Sequence, residues 1–131
     1  MAANTVMASD DEKPPATRND SDTKYYNAPV IYNGTNVGNF CHIVYWEWDY
    51  TYVIDWDLSY IATQGAQGLY RSLFLGAIQD SANYVNRVEC ISEAMFGIYF
   101  YGDTGYKNRL GIVVVTIETV HYADGSYIRI T

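Results

Sequence analysis

The chain has 131 residues, 49% of them hydrophobic and 16% aromatic, which is long enough to bury a core and too apolar for a disordered segment. Its formal net charge is −7, and no Lys or Arg falls between Lys24 and Arg71. That balance repels phosphate, so nucleic acid and anionic membranes are excluded as expected partners and basic proteins or cations are favoured.

Residues 1–24 are polar and charged, with Pro14 and Pro15 in the middle, and read as a flexible or partner-ordered acidic N-terminal arm. The stretch has no apolar signal-peptide core, and no run approaches the ~18 apolar residues of a membrane span. A cytoplasmic or virion location without signal-peptide secretion is therefore expected. Cys41 and Cys90 form neither a CxxC pair nor a metal spacing and are expected to be reduced.

Residues 25–131 read as a single α+β domain. Tyr25–Tyr32 suits a short edge strand, where Pro29 is tolerated, and Asn33–Asn39 is rich in the Gly and Asn of turns. From Phe40 to Thr63 the pattern alternates with period two, which predicts one very long strand or a strand bent near Asp49 to Thr51. One face carries the aromatic residues Trp46, Trp48, Tyr50, Tyr52, Trp56 and Tyr60, expected in the core or an interface. The other carries Glu47, Asp49, Asp55 and Asp57, a candidate acidic binding face.

Over 66–98 the spacing changes. Tyr70, Phe74, Ala77, Ser81, Tyr84, Val88, Ile91, Met95 and Ile98 recur at steps of three and four, predicting one or two amphipathic helices packed on one face of the sheet. Leu110–Tyr122 is β-branched throughout and reads as a central strand. Asp124-Gly125 then marks a hairpin that places Tyr122 opposite Tyr127 and Val120 opposite Arg129. The expected fold is an antiparallel sheet with helices on one face and a C-terminal β-hairpin.

Candidate chemistry is sparse. Glu47 and Asp49 would lie ~7 Å apart on one strand face, within the range of paired glycosidase acids, but acids alternating along a strand face water rather than a cleft. No calcium-loop spacing is present. His42 and His121 lack the spacing of a metal pair, and Cys41 beside His42 points to the opposite strand face. No metal, cofactor or catalytic residue is expected. The surplus of 14 Tyr suits surfaces that are wet in one state and buried in another. The chain therefore reads as a non-enzymatic structural or assembly subunit, such as a virus or phage particle component. It would act through sheet and arm contacts, with protein partners in a homo-oligomer or an assembly. A small acidic inhibitor or immunity-type protein that binds a basic partner is the second reading, and a carbohydrate-binding domain the third.

Overall fold

The structure, a computed structural model, describes residues 18–131; most of the N-terminal arm, residues 1–17, lies outside them. The described chain is all-β, without a helix: β1 Asp20–Tyr32, β2 Thr35–Trp48, β3 Val53–Gln64, β4 Ala66–Gln67, β5 Tyr70–Asn83, β6 Arg87–Phe100, β7 Arg109–Tyr122 and β8 Tyr127–Arg129. Two antiparallel sheets form, one of order β1-β2-β3 and one of order β4-β5-β6-β7-β8, and one of the two curls into a half-barrel.

This overturns the α+β expectation at two places. The run from Phe40 to Thr63 is not one strand but the β2–β3 hairpin. Asp49 turns the chain by accepting hydrogen bonds on Oδ1 from the N–H groups of Thr51 (2.9 Å) and Tyr52 (2.6 Å), and Tyr50 adopts a positive φ of 72°. An Asx-turn closes this loop without glycine, so the alternating pattern runs on through it unbroken.

The segment over 66–98 contains no helix; it forms β4, β5 and β6. In β5 the register shifts between Phe74 and Gly76. The extra residue of that bulge reverses which parity faces inward. Tyr70 and Phe74 before the bulge, and Ala77 and Ser81 after it, consequently share the inner face. A bulged strand thus reproduces the 4-3-4 spacing of a helical stripe. In β6 the stripe fails: Val88 and Ile98 are fully buried while Met95 is 42% exposed, as alternation requires.

The inner faces of the two sheets meet in one core. Val30, Phe40, Val44 and Trp46 of the first sheet pack against Val88, Phe96, Ile98 and Ile117 of the second, all fully buried. Burying a side chain of this size contributes roughly 1.5–3 kcal/mol, so neither sheet is stable without the other. The Trp46 indole N–H donates to the Tyr122 carbonyl (3.1 Å). At one corner Arg129 Nη1 donates to the Asn27 carbonyl (3.0 Å), tying the C-terminal segment to β1. Asp20–Lys24, assigned to the arm by composition, begin β1, which is an edge strand.

The β7–β8 hairpin pairs His121 with Tyr127 and Thr119 with Arg129, one residue out from the register expected. Ala123 is drawn into the core at 5% exposure, and its N–H donates to the Asn86 carbonyl (2.9 Å). The loop is lengthened accordingly. Gly125, at φ +88°, lies under the Trp48 ring, where an added Cβ would stand 2.5 Å from Cζ2. Gly34, at φ +77°, has nothing within 4 Å of such a Cβ.

Gly125→Ala therefore combines backbone strain with a steric clash and is expected to lower stability by about 2–4 kcal/mol, while Gly34→Ala should lose only the ~1–2 kcal/mol of left-handed backbone. Urea unfolding of the two variants checks this. Equal losses would show that Trp48 does not rest on Gly125.

Candidate functional site

The strand pairing brings three of the four candidate acids together. Glu47 lies directly opposite Asp55, and Tyr45 opposite Asp57, across the β2–β3 ladder. All three acids point away from the core, with Asp55 and Asp57 exposed and Glu47 half-buried. Asp49 is not among them, because its carboxylate is occupied in the turn. Like charges directly opposite on one sheet face are destabilising. None of the three forms an ion pair within the described residues, where the pairs present are Arg18–Asp20, Lys24–Asp22 and Arg87–Glu89. The face is open rather than a cleft, so the acids lack the divergent environments of a catalytic pair. Among the described residues no three His, Cys, Asp or Glu converge to hold a metal ion.

The aromatic face divides. Trp46 is fully buried and Trp48 is 7% exposed. Tyr50 sits in the turn, its hydroxyl donating to Asp20, and Tyr52 is half exposed. Trp56 and Tyr60 take a different position, at an incomplete corner between the two sheets.

That corner is the seam between β3 and β5, which run antiparallel and are clasped only at their ends. At one end the Val53 N–H donates to the Val85 carbonyl (3.0 Å). At the other, the Ser72 N–H donates to the Gly65 carbonyl (2.7 Å) and the Phe74 N–H to Gln64 Oε1 (2.8 Å). Between the clasps the two strands form no ladder. A chain of rings spans the gap instead: Phe40 to Tyr60 (5.6 Å), Tyr60 to Phe74 (5.8 Å) and Phe74 to Phe96 (5.5 Å). Trp56, Leu58, Phe74 and Ala77 are only partly buried there, and Ile54, the extra residue of the bulge between Val53 and Asp55, is 44% exposed. An edge strand with free backbone groups and an apolar flank is the surface to which another chain adds a strand. Phe74 and Ala77 escape a sequence reading because β5 looks helical. The period-two run Val88, Cys90, Ser92, Ala94, Phe96, Ile98 is the signal that could have corrected it.

The histidines are core residues. His42 bonds Ser92 Oγ through Nδ1 (2.7 Å) and Thr119 Oγ1 through Nε2 (2.8 Å). His121 Nε2 bonds the Tyr26 hydroxyl (2.9 Å), and its ring centroid lies 4.5 Å from that of Trp46. Burial pushes both imidazoles down to about 4, assisted at His42 by the Arg129 charge and at His121 by His42. Burial likewise pushes the Cys90 thiol and the Tyr26 phenol up to about 12, so neither serves as a nucleophile or base at neutral pH. No family model, no characterised protein and no solved structure matches this chain.

Both histidines bind a proton near pH 6.5 when unfolded and near pH 4 when folded. Between those values the unfolded state holds more protons, so stability should be full above pH ~6.5 and fall as pH drops toward 4, by up to about 3 kcal/mol per histidine. Chemical denaturation from pH 4 to 8 tests this. A midpoint independent of pH over 4 to 6.5 would place the histidines in contact with solvent.

Proposed function

We propose that this chain is a non-enzymatic assembly subunit that associates through strand edges, its working element being the seam between β3 and β5. The observation that carries the reading is the pair of long strands clasped at both ends and unpaired between. Their free N–H and C=O groups flank Trp56, Leu58 and Tyr60, and a strand from another chain would satisfy the backbone and cover these rings together. The Tyr surplus agrees with this role, since Tyr tolerates water before association and contributes large apolar contact after it. A second reading, a binder of basic proteins, draws on Glu47 facing Asp55 with Asp57 beside them, an arrangement that a cationic partner would relieve.

Ile54 and Ile61 are 44% and 55% exposed on the β3 edge strand, and lysine there should block strand addition, as it does on natural sheet edges. Light scattering on a size-exclusion column should give the wild type a mass above that of a 14.9 kDa protomer. The Ile54→Lys/Ile61→Lys variant, with its far-ultraviolet circular dichroism unchanged, should have the lower mass. A wild type that stays monomeric at every concentration would sink the assembly reading.

A further inference from the structure

The outer face of the second sheet carries a charge pattern that is complementary to itself. Its outward residues fall in cross-strand rows set by the register. Arg71, Tyr99 and Arg109 make the first row, and Leu73, Gly97 and Ile112 the second. Gly76, Met95 and Val114 make the third, Ile78, Glu93 and Thr116 the fourth, and Asp80, Ile91 and Glu118 the fifth. The Arg109 side chain lies on this face, its Cδ 3.3 Å from where a Gly97 Cβ would stand. A basic row therefore closes one end and an acidic row the other.

The rows between are mostly apolar and open to solvent, with Glu93 and Thr116 the polar exceptions in the fourth. Ile78 is 70% exposed, Val114 51%, Ile112 44%, Met95 42% and Leu75 40%, and a groove of about 410 Å³ runs between Leu75, Ile78, Met95 and Val114. A contiguous apolar patch flanked by charge marks an interaction surface on a soluble domain. Neither Arg109 nor Glu118 has an ion-pair partner among the described residues.

We propose that this face binds a second copy of the chain, packed sheet on sheet about a two-fold axis that lies in the interface and crosses the strands at Met95. The proposal deepens the assembly reading and rests on it. Such an axis exchanges the first row with the fifth. It sets Arg109 of one copy over Glu118 of the other, a contact that occurs twice as an isologous interface requires; Arg71 adds no such contact, because its guanidinium is stacked on the Tyr106 ring of its own chain (4.4 Å). The second row then meets the fourth, with Leu73 against Ile78, Ile112 against Thr116, and Gly97, beside which the Arg109 side chain lies, against Glu93; Met95 meets its own counterpart. Lone patches that bind unrelated partners have no reason to carry opposite charges at equal distances from an apolar centre, and this symmetry is what selects a second copy. Three strands ~4.8 Å apart and five rows ~6.7 Å apart present on the order of 500 Å², below the ~800 Å² per partner of a standard interface. The dimer is accordingly one that dissociates on dilution.

Charge reversal tests the arrangement with the full chain. Light scattering over a concentration series reaching ~0.5 mM should show the wild type associating reversibly, its mass falling on dilution. Arg109→Glu alone and Glu118→Arg alone should each weaken dimerisation at least tenfold, because each places like charges at both symmetry-related contacts. An equimolar mixture of the two variants restores every pair, as does the double variant Arg109→Glu/Glu118→Arg, and both should return to wild-type association. Loss through misfolding would not be rescued by mixing. A wild type that remains monomeric, or a mixture that stays as weak as its components, would overturn the proposal. The Ile54→Lys/Ile61→Lys variant separates the two surfaces. If it alone abolishes association and the charge variants change nothing, assembly through the seam stands and this face is not an interface.

Discussion

The structure depends on the contact between two sheet faces that cannot survive apart. Three strands on one side and five on the other each present a row of large apolar side chains, and only their mutual burial removes these from water. Trp46 sits at the centre of that contact, its ring against His121 and its N–H held by the Tyr122 carbonyl. Polar groups taken into the same layer are retained where they find partners, as His42 does with two hydroxyls from the opposite sheet. The core is in this way apolar in bulk but fixed in register by a few hydrogen bonds that only one alignment of the sheets satisfies.

Curvature follows from the bulges. Register shifts at Val30/Ile31, Glu47/Trp48, Phe74/Gly76 and Ile98/Tyr99 bend the strands around the core, as extra residues on one side of a ladder do. The bending brings the C-terminal segment to β1, where Arg129 bonds the Asn27 carbonyl, and leaves β3 and β5 near each other without a ladder. Full barrel closure would remove both edges. Here the closure stops short, and aromatic rings bridge what hydrogen bonds do not.

Charge is distributed with the same asymmetry. Among the described residues, the outer face of the first sheet gathers Glu47, Asp55 and Asp57 with no compensating cation, while the outer face of the second places Arg109 at one end and Asp80 and Glu118 at the other of a largely apolar band interrupted by Glu93. A net charge of −7 thus hides two surfaces of different character. On the readings proposed above, one would suit a basic partner and the other a copy of itself. The distinction comes from which strands are neighbours, since Arg109 and Glu118 are nine positions apart in the chain and acquire meaning only beside Arg71 and Asp80 on another strand.

What the sequence alone determined was local: the alternation from Phe40 to Thr63, the acidic parity of Glu47, Asp55 and Asp57, the burial-prone Trp46 and Trp48, the turn at Asp124-Gly125, and of the turn read over Asn33–Asn39 only Asn33-Gly34, since Thr35–Asn39 belong to β2. These are properties of adjacent residues, which side-chain alternation and turn chemistry make visible without a fold. The nature of the segment over 66–98 was not legible, because a bulged strand and a helix place the same residues, Tyr70, Phe74, Ala77 and Ser81, on one face. The break near Asp49 to Thr51 was legible only as a bend; that the chain reverses there was not, since the turn depends on a side-chain oxygen reaching two backbone amides. Tertiary structure decided that ambiguity. The positions of the seam, the acidic face and the charged band follow from strand pairing over distances that no local pattern records.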